Sequence, residues 1–177
     1  MKIALVLDRF DPSLGGLERW AFELVRWLSN AAHEVHVVAS EFSEPSPVPA
    51  GHRHRLAGSL GRLERAAAAA EVVRSLAADV VHDTGTGWDF DVFHPHSGSR
   101  LADRRADLRA EAWYRRPLRA VRLRLHGRDR FALERRQLGA GRGVIVACSR
   151  MVRDDLERLH GVDPARIRVV PNGVDTD

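Results

Sequence analysis

The sequence predicts a doubly wound α/β fold built on a parallel sheet. Two observations predict it: apolar runs of strand length alternate with segments of helical period along the chain, and the first run is followed by a paired-glycine loop that opens onto a helix. No internal repeat or linker composition interrupts the alternation. A chain of 177 residues supports one such domain over 1–177.

Met1 to Asp8 (MKIALVLD) reads as the first strand, and Arg9 to Gly16 as the loop after it. From Leu17 the apolar residues Leu17, Trp20, Ala21, Leu24, Leu28 and Ala31 recur at helical spacing and form a stripe that packs on a sheet. Glu34 to Ala39 (EVHVVA) is the second strand. Ser43 to Ala50 carries three prolines and is a loop, leading to a short strand near Arg53 to Leu56. Leu60 to Leu76 is alanine-rich and helix-prone, with Val72, Val73 and Leu76 on its buried side. Asp79 to Asp83 is the next buried strand, and Phe90 to Phe93 a further short one. Two helices follow, roughly Leu101 to Leu125 and Arg130 to Leu138, broken near Gly127; Pro117 either interrupts the first or restarts it. Gly143 to Ala147 is a central strand, Met151 to His160 a helix and Ile167 to Val170 the last strand.

The composition narrows the classes of function. An apolar content of 44% with 29% charged residues excludes general disorder, and no window approaches the roughly 18 apolar residues a spanning helix needs. Met1 to Leu7 runs straight into Asp8, Arg9 and Asp11, so no secretory leader is expected and the expected location is cytoplasmic. Cys148 is the single cysteine, which rules out an internal disulfide and a cysteine metal cage; it is expected as a small core residue at a strand end. The net charge of +4 is unevenly spread. Residues 100–136 hold thirteen arginines against five acids, a local excess of eight that leaves the rest of the chain at −4. Such a field attracts phosphates on lipid, nucleic acid or sugar.

Strand, glycine pair and helix start form a phosphate-binding arrangement. Gly15 and Gly16 remove the Cβ atoms that keep a ligand from the backbone, and the helix start offers N–H groups and a partial positive charge. The spacing is not G-x-G-x-x-G, so a nucleotide sugar fits better than a nicotinamide dinucleotide. A structural strand-to-helix turn is the other reading.

Four places together resemble the N-terminal half of a retaining family 4 glycosyltransferase. They are the start MKIALVLDRFDPSLGGLERW, the strand Val80-Val-His82-Asp83 with its loop, Val144-Ile-Val-Ala-Cys-Ser149 leading into a helix, and Val169-Val-Pro171-Asn172-Gly173-Val174-Asp175. The resemblance implies the GT-B architecture of two Rossmann-like domains, of which this chain is the N-terminal, acceptor-side one, with the C-terminal donor-binding domain absent. Within the family the chain is most similar to lipopolysaccharide-core glucosyltransferases, through the glycine loop, the DVFHPH segment and the arginine-rich region with Phe131-Ala-Leu-Glu134-Arg.

The resemblance implies transfer of a hexose, with retention, from a nucleotide-diphosphate sugar to a cell-envelope glycan or glycolipid, without a metal or other cofactor. It implies that the isolated domain is inactive. Gly15 and Gly16 are the donor-phosphate-binding candidates, their N–H groups facing the leaving diphosphate. His96 is the catalytic candidate, a neutral imidazole that hydrogen-bonds a sugar hydroxyl, with His94 beside it; plain loop histidines and a zinc pair are the rival readings, and two histidines alone do not complete a zinc site. Asp83 sits where a strand end points to the crevice of an α/β sheet, and accepts a bond from an acceptor hydroxyl or caps the following turn. Asp89-Phe90-Asp91 spells a D-x-D triplet and is read as loop carboxylates; Asp83-Thr84-Gly85 spells an aspartic-protease triplet that a parallel fold does not support. Glu134 is expected to pair with Arg130 or Arg135.

Arg104, Arg105, Arg115, Arg116 and Arg119 lie with Trp113, Tyr114, Arg122, Arg124 and several leucines, a composition suited to an acceptor or an anionic membrane surface, which would place the protein on the inner leaflet. A solvated helix face is the alternative. Nucleic acid is not expected as a partner, since no reading motif is present. The reading from a different class is a non-catalytic Rossmann-like module that binds a phosphorylated or lipidic ligand.

Overall fold

The computed structural model describes residues 1–139, 143–171 and 173, with 124–126 described for the backbone alone. The chain forms two compact units, Met1–His94 and Pro95–Asp177.

The first unit begins with β1 (Lys2–Val6) and β2 (Arg9–Phe10), then α1 (Gly16–Asn30), β3 (Glu34–Ala39) and β4 (Glu41–Phe42). A single 3₁₀ turn (Ala50–His52) leads into β5 (Arg53–Arg55), followed by α2 (Arg62–Leu76), β6 (Val80–Asp83) and β7 (Val92–Phe93). Strands lie in the order β5, β3, β1, β6, β7, and every adjacent pair is parallel. In register, Ile3 stands opposite Val35 on one side and Val80 on the other. Parallel strands are covered on both faces, which is why Ala4, Leu5, Val6 and Leu7 are all buried rather than alternating. α1 places Ala21 and Val25 against Leu5, Leu7, Phe10, Val35, Val37 and Ala39, with Trp20, Phe22, Leu24 and Leu28 around them. The expected stripe is thus shifted toward Val25, and Ala31 is the exposed C-cap. On α2 the buried side consists of Ala66, Ala69, Ala70 and Val73, small residues that let the helix approach closely, while Val72 and Leu76 are half-buried.

One stretch read as loop is paired. Arg9 and Phe10 form a two-residue parallel ladder with Glu41 and Phe42. The Phe10 ring stacks on Phe22 at 5.6 Å and is fully buried, an apolar anchor that fixes where the glycine loop starts.

The second unit holds α3 (Arg100–Ala110), α4 (Arg116–His126), α5 (Arg128–Gly139), β8 (Val144–Ala147), α6 (Arg150–His160), a 3₁₀ turn (Pro164–Arg166) and β9 (Ile167–Val169). β8 and β9 are parallel, with Ile145 opposite Ile167, and α6 lies against both through buried Val152 and Leu156. The helical stretch from Leu101 divides at Glu111 to Arg115, just ahead of Pro117, the residue expected to interrupt or restart it. α3 ends there, Arg116 turns back to donate to the carbonyls of Glu111 and Arg109, and Pro117 starts α4, where a missing N–H costs nothing. α6 is closed by Ser149, which accepts from the Val152 N–H, and by Gly161 in the left-handed region. Cys148 is half-buried directly after β8.

Candidate functional site

In the first unit the chain leaves β1, builds β3 and β5 on one side, then crosses back through α2 to place β6 on the other side of β1. Neighbouring loops therefore diverge at the carboxyl ends of β1 and β6, the position where open α/β sheets bind ligands.

The loop after β1 is braced from within. Asp11 Oδ1 accepts from the Ser13 N–H at 3.0 Å and from Ser13 Oγ at 2.7 Å, bonds that hold its carboxyl below the ordinary carboxylate range. Asp8, at the end of β1, is paired with Arg65 of α2. Gly15 is the N-cap of α1 and no side chain caps the helix start. Both glycines are exposed. A Cβ on Gly15 would stand 3.0 Å from Glu18 Oε2, whereas a Cβ on Gly16 would meet nothing within 4 Å. Packing among the described residues thus gives no reason for glycine at 16; open access to the first N–H groups of α1 is what its missing side chain provides.

The loop after β6 is organised by Asp83, in the turn-capping one of its two expected roles. Asp83 is fully buried. Its Oδ1 accepts from the N–H groups of Gly85 at 2.6 Å and Thr86 at 3.1 Å, and its Oδ2 from Gly87 at 2.6 Å. All of this is turn capping, and a carboxylate so enclosed does not reach an acceptor hydroxyl. Gly85 has a φ of +123°, and a Cβ on Gly87 would stand 2.6 Å from Asp83 Oδ2, so both glycines are demanded by the turn. Burial pushes the Asp83 carboxyl up to about 7, against the three N–H bonds that favour its anion.

Three aromatic side chains come together at this end of the sheet. Trp20, one turn into α1, meets the His94 ring edge-on at 5.0 Å and His82 at 5.5 Å, and the two imidazoles lie 5.9 Å apart. Burial holds both down at about 4, with His94 adding to the effect on His82. Each is therefore neutral at pH 7, with a lone pair on one ring nitrogen. His82 Nε2 is buried with no hydrogen-bond partner. Sequence reasoning overlooked Trp20 and His82 as site residues. The available signal was that His82 immediately precedes Asp83 at a strand end, but only the β1–β6 pairing brings it to α1.

His96 belongs to the second unit and is half-buried there. The D-x-D carboxylates are loop groups as expected: Asp89 is exposed and Asp91 Oδ2 accepts from the Val81 N–H at 2.8 Å. Glu134 takes neither Arg130 nor Arg135. Oε1 accepts from the Arg100 N–H at 2.6 Å and lies 3.7 Å from His160 Nε2, which is itself 2.8 Å from Ser99 Oγ. Serine, histidine and glutamate do not form a relay here, because the same imidazole nitrogen faces both partners. Together they close the N-terminus of α3, where Ser99 also accepts from the Ala102 N–H.

The basic stretch is partly structural. Arg104 lies over the Phe131 ring at 5.2 Å, Arg119 is 3.8 Å from Asp107, and Arg116 caps α3 as described. Arg105 and Arg115 are exposed, Arg115 lying over the Tyr114 ring. Trp113 is 78% exposed and Leu118 77%, with Tyr114 and Val121 also outward. No helix among the described residues is long and apolar enough to cross a membrane. In the PNGVD segment Pro171 and Gly173 are exposed, and Asn172 and Val174 to Asp177 lie outside the described residues.

A parallel sheet with its chain reversal at β1, a glycine-started helix after β1 and a capped turn after β6 define a Rossmann-like α/β fold, a class in which ligands bind at the strand ends. The Glycosyltransferase Family 4 model matches residues 14–177, and the chain belongs to that family. No curated protein matches the sequence. In fold the chain is similar to the crystal structure of WaaG, a glycosyltransferase involved in lipopolysaccharide biosynthesis, with a TM-score of 0.78 and 18% identity over 99% of this chain and 46% of that one. A glycosyltransferase from Rickettsia africae is similar with a TM-score of 0.58 and 16% identity, over 98% of this chain and 43% of that one. The chain thus spans less than half the length of either structure.

Proposed function

We propose that this chain is the acceptor-side, N-terminal half of a GT-B enzyme that transfers a hexose, with retention and without a metal, from a nucleotide-diphosphate sugar to a cell-envelope glycan or glycolipid. The observation that carries the reading is the open start of α1 at the chain reversal, where Gly16 leaves the helix N–H groups bare to an anion. Charge that develops on a departing diphosphate would be met there by preorganised donors, which need no rearrangement as the bond breaks. Half-buried Trp20, packed against His82 and His94, offers an aromatic face of the kind that holds a sugar ring. His96 would hydrogen-bond a sugar hydroxyl.

The test uses the whole gene product with UDP-, ADP- and GDP-hexoses and a lipopolysaccharide or glycolipid acceptor, following acceptor-dependent release of nucleoside diphosphate. Gly16→Asp should lower turnover by roughly 10²-fold or more by placing a carboxylate at the phosphate position. Turnover indifferent to that change would overturn the role of the loop, and ligand binding without any turnover would favour the non-catalytic module.

Exposed Trp113, Tyr114, Leu118 and Val121, with Arg115 over the Tyr114 ring, support a second element of the reading, peripheral contact with an anionic leaflet on the cytoplasmic side. Binding to phosphatidylglycerol vesicles at low salt should weaken at high salt and on joint replacement of Arg115, Arg116 and Arg119 by glutamine. Absence of binding at low salt would leave these residues as solvated surface.

A further inference from the structure

Four ligating side chains gather at the opposite end of the first unit's sheet from the crevice. Glu34 and His36 are alternate residues at the start of β3, so they leave the same face. His52 and His54 are alternate residues at the entry to β5, whose parallel register sets His54 beside Val38 and so places the pair on that face too. His36 is 7% exposed. Its Nε2 lies 2.8 Å from Glu34 Oε1, its Nδ1 lies 2.9 Å from His54 Nε2, and its ring stacks on His52 with centroids 4.3 Å apart. Ligand atoms of Glu34, His36 and His52 fall within 4.8 Å of one another, and no other group of three or more histidine, cysteine or acidic side chains among the described residues is gathered so closely.

We propose that Glu34, His36 and His52 hold a divalent transition-metal ion of the zinc class, with His54 as the positioning residue for His36. Two imidazoles and a carboxylate are the donor set that borderline cations take, with the remaining positions left to water. In the tautomer that carries hydrogen on Nδ1, His36 donates to His54 Nε2, and the Nε2 lone pair is aimed at the Glu34 carboxylate; a cation takes the place otherwise held by a proton. Such a bond from the far ring nitrogen is the usual support of a metal-ligating histidine. Bonds of about 2.0–2.1 Å require the three donors to draw closer than 4.8 Å. Glu34 is exposed and His52 half-buried, so side-chain rotation supplies the movement while the buried His36 stays fixed. Lys2 is the built-in competitor, its Nζ standing 3.6 Å from Glu34 Oε1. The ion would tie the edge strand β5 to β3. Lying at the amino ends of the strands, it takes no part in chemistry at their carboxyl ends.

The experiment titrates the full chain, freed of any affinity tag and stripped with a chelator, with Zn(II) by calorimetry, and reads Tm alongside. One ion per chain and a rise in Tm are expected. His52→Ala should abolish the site, His54→Ala should weaken it roughly 10–100-fold, and Lys2→Met should tighten it. His33→Ala, outside the cluster, should leave it unchanged. Co(II) substitution should give visible absorption bands that vanish in Glu34→Gln. Circular dichroism of the metal-free variants separates loss of the site from loss of the fold. The proposal is overturned if well-folded His52→Ala binds Zn(II) as tightly as the parent, or if the parent takes up none.

Discussion

Replacing Asp83 by asparagine tests how the turn after β6 is held. The wild-type carboxyl is fully buried, with a pKa near 7 against 3.8 in the unfolded chain. A raised carboxyl pKa means that the folded state binds the proton more tightly. The stability this gives is complete below the unfolded value and is lost as the pH rises through about 7. Linkage over the window from pH 5 to pH 8 gives a loss of about 2–3 kcal/mol. Asparagine cannot ionise, so Asp83→Asn has none of this slope. It also turns an amide N–H₂ toward either the Gly87 N–H or the pair from Gly85 and Thr86, orphaning donors at about 1–3 kcal/mol each. The variant should therefore be less stable than wild type at pH 5, and the gap should shrink by about 2–3 kcal/mol at pH 8. Urea unfolding of both proteins at the two pH values measures it. A gap that stays constant would show that the three N–H bonds outweigh burial and keep Asp83 ionised throughout, which would refute the reasoning.

Gly87→Ala should destabilise the same turn by about 1–3 kcal/mol, because its Cβ would stand 2.6 Å from the Asp83 carboxylate; thermal unfolding checks this, and an unchanged Tm would mean that the turn relaxes freely. His94→Gln should flatten the acid limb of the stability profile. A histidine held at about 4 gives stability that is present above its unfolded value of 6.5 and lost as the pH falls through 4, about 3 kcal/mol across that interval. Equal acid limbs in parent and variant would place the proton elsewhere. Ser99→Ala should cost about 1–2 kcal/mol by removing the N-cap of α3 together with the His160 contact, read as a lower urea midpoint with the slope unchanged.

Much of the fold is legible in the sequence because its elements are locally consistent. Strand runs such as EVHVVA and GVIVA, and the helical spacing from Leu17, each act within a few residues. Their reading agrees with β3, β8 and α1 to within a residue or two. Pro117 marked the restart at α4, but the end of α3 at Ala110 escaped because arginine and alanine favour helix through residues 100–110. What ends α3 is a side chain returning to two carbonyls, a contact that propensity does not encode. The β2–β4 ladder escaped for a related reason: two-residue strands have no period.

The sequence by itself determined the family, the order of strands and helices, and the place of the glycine loop, since these depend on neighbours along the chain. Only the tertiary structure decided which polar side chains meet. It withdrew Asp83 into a turn, and it brought Trp20 to His82 and His94 across intervals of 62 and 74 residues. It also set Glu34 and His36 beside His52 and His54. The physical reason is that strand register is fixed by burial of the whole sheet at once. A register that buries Leu5 against Val37 thereby also chooses which histidines face one another, and no local pattern carries that choice.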